Sequence, residues 1–97
     1  MVFNPWIEKA WQVHRQAEHV SNVTMLKSAL WLERKYRAAP GFETAAILSL
    51  HYLVLALRKQ TAQRAMMFEY YMSQALRWRR EAIRWLARSS GESHAID

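Results

Sequence analysis

The feature that most constrains this chain is how few of its residues favour turns. Its 97 residues include two glycines and two prolines, and the stretch from Phe42 to Ser90 contains neither. An all-β fold needs a turn roughly every 8–12 residues, which so few turn-forming residues cannot supply. The sequence therefore predicts an all-α protein.

Apolar residues recur every three or four positions, as expected for helices that bury one side. Two such stripes, in residues 6–20 and 25–39, are out of register with each other. The slip falls at a run of β-branched and short polar residues around Ser21, which form helices poorly. Pro5 suits the first turn of a helix, whereas Pro40 predicts a break because proline disfavours helical geometry in the residue before it.

The region from residue 42 to residue 90 admits two interpretations. Its apolar run stops near Gln60, where two helices could meet. Otherwise the region forms one long helix, which would exceed about 60 Å at about 1.5 Å per residue. We expect a small bundle of about four helices, with breaks near Ser21, Pro40 and Gln60, and we keep a long two-helix hairpin as the alternative.

The chain is expected to form one domain, because a sequence of this length seldom holds more than one hydrophobic core. Gly91 suits the C-terminal cap of the last helix, since glycine adopts the backbone geometry found there at little cost. We therefore expect a single helical domain over residues 1–91 and a flexible C-terminal tail over residues 92–97.

Several classes of protein are disfavoured by what the sequence lacks. It has no cysteine, which removes disulfide frameworks, thiolate zinc sites and cysteine nucleophiles. Its most apolar stretch, residues 45–57, is shorter than the roughly 20 residues that span a membrane, and this predicts a buried core helix without a transmembrane segment. The first residues lack the order of a signal peptide, so we expect a cytoplasmic protein.

The positive charge of the chain is concentrated in one segment. The formal net charge is +6, from 14 Lys and Arg against 8 Asp and Glu. Residues 58–88 hold eight of the cations and only Glu69 and Glu81 as acids, whereas the rest of the chain carries six charges of each sign. A local excess of this kind favours an anionic partner.

Within this segment, four arginines fall on one side of a predicted helix, opposite its apolar face. They span about 17 Å by helical rise. Arginine has a planar, weakly hydrated guanidinium that suits phosphate and carboxylate groups. This arginine ridge is either a solvated helix face or a contact for nucleic acid, for an acidic protein or for a lipid surface. Its members are Arg77, Arg80, Arg84 and Arg88.

The apolar face of the same helix contains the aromatic residues Tyr71, Trp78 and Trp85. Aromatic residues at helical spacing either pack in a core or, where they are exposed, stack on the bases of single-stranded nucleic acid. The chain has five tryptophans, four tyrosines and three phenylalanines, a large ring surface for its length. We therefore expect a homo-oligomer or a subunit of a larger complex.

Arg79 lies in the middle of that apolar face on a helical wheel, where a charge needs a specific reason. It could extend to solvent, or it could pair with a carboxylate such as Glu33 or Glu43 on another helix. Alternatively, it could anchor a contact with a second chain, because arginine and tryptophan are enriched at interface hot spots.

No arrangement of residues predicts catalysis or metal binding. His14 and Glu18 are four apart on a helix, which indicates a surface hydrogen bond more readily than a metal site. His51 is expected to be a core histidine bonded to a backbone carbonyl or a hydroxyl. Phosphate-binding loops and nucleophile motifs are absent from the sequence. We expect a protein that is not an enzyme and that uses no cofactor and no metal.

The first functional hypothesis is a non-enzymatic basic module that binds the backbone of DNA or RNA as an accessory subunit of a nucleoprotein complex. The alternative is a regulator, inhibitor or scaffold that docks an acidic protein surface through the Arg/Trp-rich C-terminal helix, and a third possibility is an amphipathic helix on an anionic membrane. The predicted binding residues are Arg58, Lys59, Arg64, Arg77, Arg80, Arg84 and Arg88, and the predicted interface residues are Tyr71, Trp78, Arg79 and Trp85.

Overall fold

A computed structural model describes residues 5–61 and 65–95, and the regular structure in those ranges is entirely α-helical. The predicted bundle of four helices is confirmed, and the long hairpin is excluded because residues 42–61 and 65–95 form two helices that pack against each other. Two breaks lie at Ser21 and Pro40 as expected, and the third, expected near Gln60, borders residues 62–64, which lie outside the described part of the chain. The helices are α1 (Pro5–Gln16), α2 (Asn22–Ala38), α3 (Phe42–Thr61) and α4 (Ala65–Ala95).

The first break is a turn stabilised by a serine cap. After α1 the backbone N–H of Ala17 still donates to the carbonyl of Val13, and the N–H of Val20 donates to the carbonyl of Ala17, both at 2.9 Å. Ser21 then caps α2, because its Oγ accepts from the backbone N–H of Thr24 at 3.1 Å. A serine in this position satisfies an N–H that the helix itself leaves unpaired.

The second break surrounds Pro40. The backbone N–H of Ala39 donates to the carbonyl of Lys35 at 2.9 Å and closes the last turn of α2. Proline has no N–H with which to continue that pattern. The carbonyl of Gly41 accepts from the N–H of Ala45 at 3.3 Å, so α3 begins directly after the turn.

Helix α3 lies at the centre of the bundle. Residues 52–57 are all buried. The largest side chains that are fully enclosed also belong to this helix: Leu48, Leu53, Val54 and Leu55. A helix that is apolar on every side must be enclosed, and α3 packs against each of the other three helices. The predicted buried core helix over residues 45–57 is therefore confirmed, with Ile47 as its exposed member. Within the ranges described, none of the helices combines the length and apolar character needed to cross a membrane.

Helices α3 and α4 run antiparallel. Near their connection the rings of Tyr52 and Tyr71 stack at 6.3 Å, and toward the opposite end Phe42 and Leu86 line the same groove. Tyr71 and the residues that follow it at helical spacing, Ala75, Trp78 and Ala82, are buried, so the aromatic stripe of α4 faces into the bundle.

Helix α1 lies parallel to α3 and is joined to it at both ends. At one end the indole Nε1 of Trp6 donates to Ser49 Oγ at 3.1 Å, and this hydroxyl donates in turn to the Ala46 carbonyl at 2.9 Å. At the other end Arg58 Nε donates to His14 Nδ1 at 3.3 Å. These polar contacts fix the register of a short helix that would be marginal alone.

A buried tyrosine connects α3 to α2. Tyr52 is 2% exposed, and its hydroxyl donates to Glu33 Oε2 at 3.0 Å. Burial, together with the nearby Glu33 carboxylate, raises the pKa of Tyr52 far above its ordinary value. Burial and the neighbouring Tyr70 also raise the pKa of Tyr71. In the folded state both phenols are therefore held in the neutral form.

The expectation that Gly91 ends the last helix is wrong, because α4 continues to Ala95. Glycine inside a helix costs only about 1 kcal/mol relative to alanine, and the sequence after Gly91 contains no proline to stop the helix. The division into a domain over residues 1–91 and a flexible tail over 92–97 stays a prediction, and residues 96–97 lie outside the described part of the chain.

The neutral phenol of Tyr52 predicts a loss of stability at high pH. Unfolded Tyr52 loses its proton near pH 10, whereas the folded state keeps it. Its contribution to the free energy of unfolding is therefore constant below about pH 10 and falls above it, by up to about 1.4 kcal/mol per pH unit. Urea denaturation between about pH 8 and pH 11 is expected to show a shallower decline for Tyr52→Phe than for the wild type. Identical slopes would contradict this assignment.

Candidate nucleic-acid interface

The arginine ridge is exposed along its whole length on α4. Arg77, Arg80, Arg84 and Arg88 each project from the side of the helix that the bundle leaves uncovered, and the side chain of Arg84 is 72% exposed. Helical periodicity placed these arginines opposite the apolar stripe, and the burial of that stripe leaves them facing solvent. The ridge is thus available to an anionic ligand.

Two arginines of the ridge lie on tryptophan rings. The guanidinium carbon of Arg77 is 5.1 Å from the centroid of the Trp78 ring, and that of Arg88 is 4.6 Å from the centroid of Trp85. A cation within about 6 Å of a tryptophan ring is attracted by the negative face of the ring. Both guanidinium groups are therefore held close to a ring, and such contacts do not consume hydrogen-bond donors.

Tyr36 of α2 fixes these tryptophans. Its ring meets Trp78 edge to face at 5.0 Å, and its hydroxyl accepts from Trp85 Nε1 at 3.0 Å. The same hydroxyl donates to Glu81 Oε2 at 2.9 Å, and Glu81 Oε1 accepts from Arg84 Nη1 at 2.8 Å. A continuous polar contact thus runs from α2 through Glu81 to the ridge.

The predicted interface role of the aromatic stripe needs correction. Trp78 is 4% exposed and Tyr71 is 6% exposed, so neither ring can contact a partner in this structure. Trp85 is half-buried beneath Arg88. Burial of large aromatic rings stabilises the folded state, because it removes their apolar surface from water. Helices α2 and α3 provide the surfaces that cover these rings. The rings support the ridge from below and do not offer stacking surfaces.

Arg79 forms an ion pair with neither of the two carboxylates that the sequence suggested as partners. Among the described residues, no ion pair joins it to Glu33 or Glu43. Its guanidinium carbon lies instead 4.6 Å from the centroid of the Trp6 ring, across the space between α4 and α1. Arg79 is half-buried there, so it reaches solvent over an aromatic surface, in the manner expected of an amphipathic side chain.

An open groove of about 310 Å³ lies beside this contact, between α1, α3 and the C-terminal half of α4. Its lining is almost entirely apolar, and several rim residues are exposed: Phe42 is 41% exposed, Ile83 50% and Leu86 52%. The apolar face of α4 is thus wider than its neighbours can cover. Two cations flank the groove, Lys9 and Arg79.

Arg58, predicted as a binding residue, has a structural role. Its Nη2 donates to the Ala17 carbonyl at 2.8 Å, and its Nη1 donates to the Val20 carbonyl at 2.8 Å and to Asn22 Oδ1 at 3.0 Å. The two carbonyls belong to the turn between α1 and α2, and Asn22 is the first residue of α2. The guanidinium therefore binds this turn to the end of α3 instead of facing a ligand.

Two further predicted binding residues, Lys59 and Arg64, do not belong to the ridge. Lys59 is half-buried on α3 next to Arg58, and Arg64 lies outside the described residues. His14 Nδ1 accepts from Arg58 Nε, a contact with α3 that the predicted surface hydrogen bond to Glu18 did not include. His51 is half-buried and its Nδ1 lies 3.0 Å from the Ile47 carbonyl, which agrees with the predicted bond to a backbone oxygen.

No group of three or more potential metal-binding side chains occurs within residues 5–61 and 65–95. The cationic residues that sequence reasoning missed lie on α2, where Lys27, Arg34 and Lys35 surround the exposed Trp31. Counting charge over long segments concealed this cluster, because acidic residues on other helices offset it in the sum. The spacing of the three cations around one tryptophan could have revealed it.

Comparison with known proteins adds no relative to this picture. No protein family matches the sequence, and no curated protein or solved structure is detectably similar to the chain. The function must therefore be argued from the arrangement of side chains.

The structural role of Arg58 is testable by replacing it with methionine, which has a similar helix propensity. Arg58→Met is expected to lower the free energy of unfolding by about 2–4 kcal/mol, because two backbone carbonyls of the turn and Asn22 Oδ1 lose a charged donor. The matched control is Arg37→Met, an exposed arginine of α2, which is expected to change stability by less than about 0.5 kcal/mol. Urea denaturation followed by circular dichroism measures both. Equal stability of the two variants would contradict the role.

Proposed function

We propose that this chain is a non-enzymatic, cytoplasmic helical module that binds the phosphate backbone of nucleic acid, as an accessory subunit of a nucleoprotein complex. The observation that carries the proposal is the exposure of four arginines along one side of α4, while the aromatic side of the same helix is turned into the bundle. One side of α4 can therefore bind anions while the opposite side packs in the bundle.

The ridge is suited to phosphate for three physical reasons. It spans about 17 Å, whereas a nucleic-acid strand presents a phosphate roughly every 3.4 Å along the duplex axis, so several phosphates lie within its reach. Arg77 and Arg88 are already ordered on tryptophan rings, which reduces the entropy lost on binding. Arg84 is paired with Glu81 at the surface, where an ion pair contributes roughly 0–1 kcal/mol and can be replaced by phosphate.

Binding through this surface should show little dependence on base sequence. The rings beneath the ridge are buried or half-buried and cannot stack on bases there. Arginines that follow a backbone fix position on the strand without reading base edges. The expected signature is therefore affinity that depends strongly on salt and weakly on sequence.

A salt titration tests the ridge directly. A fluorescently labelled duplex of mixed sequence is titrated with the wild type and with Arg77→Gln/Arg80→Gln/Arg84→Gln/Arg88→Gln at several salt concentrations. Loss of four phosphate contacts is expected to make the slope of log affinity against log salt shallower by about 3 to 4 and to weaken binding at low salt. Fluorescence anisotropy gives both quantities.

The matched control removes positive charge elsewhere. The control variant replaces three exposed cations of α1 and α2 by glutamine, namely Lys9, Arg15 and Arg37. It is expected to retain most of the wild-type slope. The proposal is wrong if duplex binding is undetectable at low salt, if it survives loss of the ridge, or if both variants lose affinity equally.

The apolar groove favours a second candidate function, a regulator, inhibitor or scaffold that binds another protein. Its exposed rim on α3 and α4 and its two flanking cations fit an apolar segment that carries an acidic residue. A homo-oligomer would cover the same surface with a second copy of the chain. Both arrangements use Arg79 as an anchor between chains, as the sequence suggested.

Replacing Ile83 by glutamate tests this second function. Ile83 is 50% exposed at the rim, so a charge there is expected to leave the fold intact and to abolish partner binding. Val23→Glu, at a 63% exposed position on α2, is the matched control. Nuclease-treated pull-downs and light scattering are expected to show a complex or oligomer for the wild type and control that Ile83→Glu lacks. If the complex dissociates after nuclease treatment, a contact made by protein alone is excluded.

A further inference from the structure

Trp31 on the outer side of α2 has no packing role that accounts for it. All five tryptophans lie in the described ranges, and the other four are buried or half-buried, whereas Trp31 is 60% exposed. Its neighbour Leu30 is 48% exposed. Large rings are usually covered, because their burial is among the strongest contributions to folding, so an exposed tryptophan points to a ligand.

The surroundings of Trp31 are cationic. Residues three and four positions away are neighbours on a helix surface, and three of these four positions around Trp31 hold Lys27, Arg34 and Lys35. Lys35 Nζ lies 5.5 Å from the centroid of the Trp31 ring. Lys27 and Arg34 line a shallow hollow of about 280 Å³ that has the ring as one wall.

The charge of this cluster is not balanced within its own helix. The only acidic residue of α2 is Glu33, and its carboxylate accepts a hydrogen bond from the buried Tyr52. Glu33 therefore points toward α3 and not toward the ring. The cluster offers a flat aromatic surface and three cations to the same side of the molecule.

We propose that Trp31 with Lys27, Arg34 and Lys35, here called the Trp31 platform, binds single-stranded nucleic acid. One base stacks on the indole ring, and the cations contact the phosphates on either side of it. A duplex hides the faces of its bases in its own stack, so the platform favours strands with unpaired bases. The inference rests on the proposed nucleic-acid function and deepens it by naming the class of strand.

The role of the ring is tested with two labelled probes, a 12-nucleotide oligo(dT) strand and a 12-base-pair duplex of mixed sequence. Trp31→Ala is expected to weaken oligo(dT) binding by roughly 5- to 150-fold, as found for lost base–aromatic stacking, and duplex binding by less than about twofold. Trp31→Phe, which keeps a ring, is expected to restore part of the lost affinity. Fluorescence anisotropy at low salt measures all three proteins.

A matched control comes from another exposed ring. Tyr70 on α4 is 53% exposed, and the residues three and four positions from it, Met66, Met67, Ser73 and Gln74, carry no charge. Tyr70→Ala is therefore expected to bind both probes as the wild type does. In addition, oligo(dT) is expected to quench wild-type tryptophan emission more than that of Trp31→Phe, which reports direct contact with the ring.

The outcomes separate this inference from the function on which it rests. The ridge is supported if the four-arginine variant loses duplex binding and Trp31→Ala keeps it. The Trp31 platform is supported if Trp31→Ala, in addition, loses binding of oligo(dT). Unchanged oligo(dT) binding by Trp31→Ala overturns the platform. An equal loss for both probes also overturns it, because the ring would then serve the fold or a partner other than a single strand, such as an acidic protein.

Discussion

The arrangement of the four described helices depends on the part of α3 that is apolar on all sides, residues 52–57. A helix of that kind is stable in water only when other surfaces enclose it, and residues 52–57 are buried around the full circumference of the helix. The other three helices each bury a stripe against α3 and keep their outer sides in solvent. Both cationic surfaces lie on these outer helices, one on α4 and one on α2.

The rotation of α4 about its own axis determines which of its side chains face solvent. A small polar cluster specifies that rotation. Tyr36 donates to Glu81 and accepts from Trp85, so its hydroxyl is satisfied as donor and as acceptor. Apolar packing alone tolerates small rotations, whereas hydrogen bonds of this kind have a defined geometry. The cluster holds the arginines outward because it holds Trp85 and Glu81 inward.

Periodicity and local chemistry were sufficient to predict the number of helices and the direction of the ridge, because the angle between residues of one helix follows from the sequence, but they placed the end of α4 too early, at Gly91. The breaks at Ser21 and Pro40 likewise depend on neighbouring residues alone. Contacts between distant residues were not accessible in the same way. Arg58 binds carbonyls about forty positions away in the chain, which makes it structural. The covering of Trp78 and the exposure of Trp31 depend on which part of each helix a neighbour reaches.

Trp6 takes part in three contacts that otherwise belong to separate parts of the molecule. Its indole donates to Ser49, its ring lies beneath Arg79, and it forms part of the groove wall. Because one rigid ring serves all three, a shift that improves one contact alters the geometry of the others. The energetic effects of changing Trp6, Ser49 and Arg79 are consequently non-additive, and a molecule seated in the groove is thermodynamically linked to the attachment of α1.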